Sequence, residues 1–212
     1  VHLYGSVVDI IKIKKKIKNK GIIIIDDCSQ AHGATFNSLK VGSLADISCF
    51  SLYPGKNLGA YGDAGIITTN NIKFYKKIKN FRNLGSDVKF VHNQIGFNSR
   101  LDTIQAKILT NKLLNLNRYN RNRKKISKYY DININNSKIE KLRYTHGSVY
   151  HQYVIKVKDR NKLIKFLEKN KIQFGIHYPK SINKIDSLKK FFTKKVFRNA
   201  ENLAKKCLSL PI

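Results

Sequence analysis

The stretch VVDIIKIKKKIKNKGIIIID (7–26) decides the architecture. Val7, Ile10 and Ile11 recur at helical spacing and Gly21 supplies a stop, so residues 7–20 read as a helix. IIIID (22–26) follows as an unalternated apolar run, the pattern of a strand buried on both faces. A helix feeding such a strand implies a parallel sheet covered by helices, and so an α/β fold. The run ends in Asp26, Asp27, Cys28, Ser29 and Gln30, a polar cluster at the carboxyl end of the strand, where parallel sheets present their ligand sites. Turn formation by Asp and Ser also accounts for this cluster without any ligand.

The second informative stretch is CFSLYPGKNLGAYGDAG (49–65). Ile47, Cys49, Phe50, Leu52 and Tyr53 form a short apolar run that reads as a buried strand and that Pro54-Gly55 stops, and Gly55, Gly59 and Gly62 let the backbone fold tightly or approach a ligand. Lys56 sits between strand and turn. An amine in such a pocket is partly desolvated, which lowers its pKa and favours the neutral nucleophile that Schiff-base chemistry requires. A solvated lysine on a Gly-rich loop is the competing account, and this stretch alone supports both.

Composition narrows the class. The chain has 212 residues, enough for one sizeable core or a larger domain plus a small one. No apolar run reaches membrane-spanning length and VHLYGSVVD is not a signal peptide, so a soluble cytoplasmic protein is expected, with no membrane partner. Cys28, Cys49 and Cys207 have no metal-like spacing, so no metal site or disulfide framework is expected, only reduced and mostly buried thiols. Methionine is absent, including an initiator, and part of a longer chain is therefore expected. A net charge of +29 raises nucleic-acid binding as an alternative function. The lysines, however, are dispersed and accompany heavy use of Ile and Asn, so no nucleic-acid partner is expected, although a basic surface can attract anionic substrates.

Further along, AGIITTN (64–70) reads as a strand and IKFYKKIKNFRN as an amphipathic helix capped by Asn70 or Asn71 and ended by Gly85. Residues 86–100 look irregular. A long helix is expected from Leu101 to about Tyr130. The tail alternates SVYHQYVIKV (148–157, strand), DRNKLIKFLEKN (helix), KIQFGIHYP (171–179, strand) and a final helix leading into another element, which fits a small α+β domain.

Taken in order, VHLYG, IIDDCSQAHGA (24–34), VGSLADISCFSLYPGKNLGAYGDAG (41–65), RNLGSD (82–87), GFNSRLDTIQA (96–106) and GIHYP (175–179) resemble the DegT/DnrJ/EryC1/StrS sugar aminotransferases. The resemblance implies a fold-type-I (aspartate aminotransferase-like) transferase that binds pyridoxal 5'-phosphate. It divides the chain into a partial large α/β domain (1–117), a connecting helix and junction (118–140) and a small, incomplete α+β C-terminal domain (141–212). It implies a homodimer with shared active sites, a nucleotide-diphosphate keto-sugar as substrate and L-glutamate as amino donor. Residue by residue, Lys56 matches the lysine that binds the cofactor covalently and then moves the proton. Asp27 matches the carboxylate that pairs with the pyridine nitrogen, with Asp26 the weaker choice. Gln30 matches the residue against the cofactor ring, Ser51 a phosphate-binding hydroxyl, and Asn98 an asparagine sent to the phosphate by the neighbouring subunit. His177 and Tyr178 fall in the segment that faces the sugar nucleotide, where a purely structural part is equally open to them. VHLYG, AHGA and GIHYP look most like the subgroup acting at the sugar's 3-position, on a dTDP-3-keto-6-deoxyhexose. The related sugar dehydratases carry His at the lysine position, and Lys56 argues against them. Relatives of this kind start upstream of VHLYG and extend past the last residue here, so part of the cofactor cradle is expected to lie outside this sequence; a non-catalytic fragment is the other reading.

Overall fold

The computed structural model of the chain describes residues 1–17, 21–192 and 195–212, which fall into two compact units. The first comprises Val1–Arg123 and Tyr144–His151, the second Lys124–Arg143 and Gln152–Ile212.

In the first unit, helix α1 (Ile10–Lys16) starts where the Asp9 carboxylate accepts the backbone N–H of Lys12 at 2.7 Å. The expected continuation through 18–20 lies outside the described residues. Strand β1 (Ile25–Asp27) leads to a two-residue-strand hairpin, β2 (Thr35–Phe36) and β3 (Leu39–Lys40), whose turn residues Asn37 and Ser38 both take positive φ. Strand β4 (Ile47–Ser51) lies parallel to β1, with Asp27 opposite Cys49, and strand β5 (Gly65–Thr68) returns antiparallel, with Ser51 opposite Gly65. The three-stranded sheet is therefore mixed. A parallel neighbour needs a long crossover, usually a helix; the loop between β4 and β5 carries none and brings the chain straight back.

One core of this unit gathers Val7 and Ile10 of the α1 region with Cys28, Ala31, Ala34, Val41, Leu44, Ala45 and Val149. The expectation that IIIID is buried throughout is corrected: β1 is short, and Ile22, Ile23 and Ile25 are all exposed. The reason is that among the described residues no layer covers them. Ile66 and Ile67 on β5 are exposed as well, and β4, β5, helix α2 (Ile72–Phe81) and residues 99–101 border a cavity of about 900 Å³.

Asn71 caps α2, accepting the N–H of Lys73 at 2.9 Å. Residues 86–100 hold a short bulged hairpin, β6 (Ser86–Val88) and β7 (Val91–His92). The expected single long helix is two, α3 (Thr103–Leu113) and α4 (Leu116–Asn133). Leu109 and Leu116 from either side of the joint both enter a second core with Leu52, Leu58 and Ala60, while Leu113 and Leu114 at the joint are exposed.

The second unit is an antiparallel sheet in which β9 (Tyr153–Val157) lies between β8 (Ile139–Lys141) and β10 (Cys207–Leu210). Helices α5 (Arg160–Lys169) and α6 (Arg198–Lys206) complete it. Tyr153, Val154, Ile155, Val157, Leu167, Ala204, Cys207 and Leu208 are buried there. KIQFGIHYP (171–179) is not the expected strand: Gly175 alone pairs with Ser209, through two backbone hydrogen bonds of 3.0 and 2.8 Å. The turn residue Lys171, with φ 55°, and the exposed residues after it leave no ladder to extend. No helix among the described residues is long and apolar enough to cross a membrane.

Candidate active site

Because β1 and β4 are parallel, their carboxyl ends emerge at the same edge of the sheet. The alternation of β1 sorts the two aspartates. Asp26 is buried, at 2% exposure, and Asp27 is exposed on the other face. Asp26 is held by His2: Val8 N–H donates to His2 Nδ1, so Nε2 carries the proton and donates to Asp26 Oδ2 at 3.0 Å. Burial opposes ionisation of Asp26, but the hydrogen bonds of His2, Ser48 and Cys28 outweigh it and its pKa falls below the usual value. Both ring nitrogens of His2 are thereby engaged, and the His2, Asp26, Cys28 group reads as a hydrogen-bonded polar core rather than a metal centre.

Asp27 accepts the backbone N–H of Ser29 at 2.9 Å. Burial raises its pKa, while the Ser29 hydrogen bonds, then the positive charge on Val1 and last that of Lys56, bring it below the ordinary value, so it is a carboxylate at neutral pH. Lys56 is half-buried, and that burial lowers its pKa against the opposing pull of Asp27. The two are near enough for each to bias the other's ionisation.

The loop carrying Lys56 is packed rather than free. Leu52 and Ala60 are tied to the neighbouring backbone by Leu52 N–H to Ala64 O and Ala60 N–H to Leu52 O, both 2.8 Å, and Lys56 N–H closes a turn on Tyr53 O at 2.9 Å. From α3, Gln105 Oε1 accepts Tyr61 N–H at 2.8 Å and Lys112 Nζ donates to Gly59 O at 2.7 Å. Gly59 has to be glycine, since a Cβ there would stand 2.3 Å from Pro54 O. Side chains Leu52 and Leu58 fill the core beneath.

The remaining predicted residues divide. Gln30 is buried in the turn after β1, where its Oε1 accepts the N–H of Tyr4, itself at φ 59°. Ser51 ends β4, half-buried, with Oγ 3.4 Å from Tyr53 N. These two lie with Asp27 and Lys56 at one edge of the sheet. Asn98 does not join them; it is exposed, in a segment that bridges to Asn83. His177 and Tyr178 belong to the second unit, where His177 Nδ1 is 2.8 Å from Ser209 Oγ and Tyr178 is exposed.

Two residues of this edge escaped the sequence reading. His32, within the quoted AHGA, is buried at 3% exposure, packs on Phe50 at 5.4 Å and donates from Nε2 to Ser51 O at 2.8 Å. Burial lowers its pKa to about 4, with the Ser51 bond opposing and Lys56 adding, so it is neutral. Asn57, next to Lys56, is also buried. Its spacing to the apolar residues carries no signal, since its partners are distant in sequence.

A half-buried lysine and an ionised carboxylate at the carboxyl ends of two parallel strands define an α/β protein with its site at the sheet edge. The chain belongs to the DegT/DnrJ/EryC1/StrS aminotransferase family, whose pattern residues 1–212 match throughout. It is 40% identical over 214 residues to the dTDP-3-amino-3,6-dideoxy-alpha-D-galactopyranose transaminase of Aneurinibacillus thermoaerophilus, covering 100% of this chain and 59% of that protein. To the UDP-N-acetyl-3-dehydro-alpha-D-glucosamine 3-aminotransferase of Acidithiobacillus ferrooxidans it is 35% identical over 217 residues, covering 100% and 58%. The crystal structure of S. venezuelae DesV in complex with a ketimine intermediate superposes with a TM-score of 0.92 at 30% identity, covering 100% of this chain and 58% of DesV. The chain thus spans under two thirds of the length of these relatives, and the α/β fold expected from the sequence is theirs.

Proposed function

We propose that this chain is the lysine-bearing part of a pyridoxal-phosphate-dependent aminotransferase that converts a nucleotide-diphosphate keto-sugar, of the dTDP-3-keto-6-deoxyhexose type, to an amino sugar with L-glutamate as donor. The observation that carries the reading is the coupled pair Lys56 and Asp27, an amine of lowered pKa and an ionised carboxylate at one sheet edge. They fit the cofactor's chemistry: an aldehyde needs a neutral amine, and a pyridine nitrogen kept protonated needs an anion beside it. When bound, pyridoxal phosphate supplies an electron sink that acidifies the carbon bearing the transferred amine.

The residues act around that chemistry. Asp27 would hold the ring nitrogen and Gln30 would meet the ring. Ser51 would hold the phosphate together with Asn98 of a second copy in a homodimer. Lys56 would anchor the group and, once displaced by the donor, hold and deliver the proton at Nζ. Desolvation keeps that amine closer to neutrality than a surface lysine, which suits both tasks. His177 and Tyr178 would contact the sugar nucleotide. The two transaminases named above act on sugars aminated at position 3, which supports that position for this substrate. A cytoplasmic setting follows from the nucleotide-sugar substrate.

The test uses the full chain mixed with pyridoxal phosphate. A visible absorbance band and transfer of 15N from labelled glutamate to a dTDP-3-keto-6-deoxyhexose are expected, and both should vanish in Lys56→Ala. A folded wild-type protein that stays colourless sinks the proposal.

A further inference from the structure

Lys56 lies inside a closed circuit of hydrogen bonds. On one side of it, Asn57 is buried and uses its whole side chain: Nδ2 donates to Asn120 Oδ1 at 2.9 Å and to Val149 O at 3.1 Å, and Oδ1 accepts the Nδ1–H of His151 at 3.0 Å. Asn120, on α4, turns its own Nδ2 to His32 O at 2.8 Å. His32 in turn donates from its ring to Ser51 O, five residues before Lys56. The span Ser51–Asn57 is therefore pinned at both ends to the same set of groups, and the lysine hangs between the pins. Those groups come from the turn after β1, from α4 and from Tyr144–His151, three stretches remote in sequence. Arg123 on α4 fixes the last of them, donating from Nη1 to His151 O at 3.1 Å and approaching Tyr150 O at 3.4 Å.

We infer that Asn57, Asn120 and His151 are positioning residues that set the reach of the Lys56 amine toward its carbonyl partner. The inference rests on the proposed role of Lys56. Buried polar groups are costly unless partnered, so a network with every Asn57 site filled holds one geometry. Its product is orientation: an amine displaced by about 1 Å loses on the order of a hundredfold in reactivity. Loss of the His151 donor leaves Asn57 Oδ1 unpaired and frees one pin. A simple stabilising role for the same bonds would change unfolding but not the reactivity of Lys56 in folded molecules.

The experiment treats the folded full chain with pyridoxal phosphate, traps it with borohydride, and measures modification of Lys56 relative to Lys156 by peptide mass spectrometry. In wild type Lys56 is expected to react well ahead of Lys156. His151→Leu and Asn120→Ala should slow Lys56 by roughly tenfold or more, leaving Lys156 unchanged. His151→Asn, whose amide nitrogen can stand where Nδ1 stood, should restore most of the rate. Asn120→Asp keeps the acceptor for Asn57 but sets a carboxylate oxygen against His32 O where a donor stood, so the bond to His32 gives way to repulsion; its folded molecules should also slow Lys56. Unchanged Lys56 trapping in folded His151→Leu, Asn120→Ala or Asn120→Asp overturns the positioning role while leaving the aminotransferase reading intact. A wild-type Lys56 no faster than Lys156 overturns that reading itself.

Discussion

His32 shows how one buried side chain ties stability to pH. Its folded pKa of about 4 lies below the ordinary 6.5, chiefly through burial. Between those values the unfolded chain binds the proton that the folded one refuses, so stability is full above 6.5 and falls as pH drops toward 4. A shift of that size corresponds to roughly 3 kcal/mol. Urea unfolding at pH 7 and pH 4 should show this loss in wild type, and His32→Gln should flatten it; an equal slope in both proteins would remove His32 as the cause. The thiols make a second prediction. Burial holds Cys28 strongly, and Cys207 to a lesser degree against the pull of Arg160, toward the protonated form, and both side chains are buried, so neither should react with a thiol reagent at pH 8 until the protein unfolds. That these thiols are reduced and mostly buried was expected from the absence of any metal-like or disulfide spacing. The preference for Asp27 over Asp26 came from the family motif; the alternation that buries one and exposes the other came from the structure. His32 was not, because its acceptor is a carbonyl nineteen residues away, and nothing in local spacing marks that contact.

Among the elements, α3 and α4 are what make the Lys56 loop a rigid platform. Leu109 and Leu116 pack under Leu52, Leu58 and Ala60. Truncating either leucine should cost about 2–5 kcal/mol, measured by denaturant unfolding. The loss of support should also reduce cofactor retention when assayed by gel filtration in the full chain. The cap of α2 is a smaller term: Asn71→Ala should cost about 1 kcal/mol without affecting the site. The amphipathic spacing of α2 and its Asn cap were legible, as were α5 and α6; that the last stretch is a strand was not. The division of the long helix at Leu114–Asn115 was not, because no Gly or Pro marks it. It follows from the way residues on both sides must reach one core.

For the whole molecule, the net charge of +29 and the proposed shared site lead to measurable behaviour. An anionic sugar nucleotide should be captured with a KM that rises with ionic strength while kcat changes little, because screening acts on encounter rather than on the site. If Asn98 serves the second subunit, mixing inactive Lys56→Ala and Asn98→Ala full chains should recover activity, since a mixed dimer holds one site with both residues intact; no recovery would place Asn98 elsewhere. The sequence by itself determined the α/β class, the existence of a strand before Lys56 (though not its burial, since within β4 only Ser48 is buried), the Gly-rich turn after it and the family. These are local patterns of periodicity, turn chemistry and contiguous motif. Only the tertiary structure decided that β5 returns antiparallel, that Ile22, Ile23 and Ile25 are exposed, and that Asn57, Asn120, His151 and His32 close a circuit around the lysine. Those outcomes depend on which distant segments meet, and hydrogen bonds between residues far apart in the chain leave no period in the sequence between them.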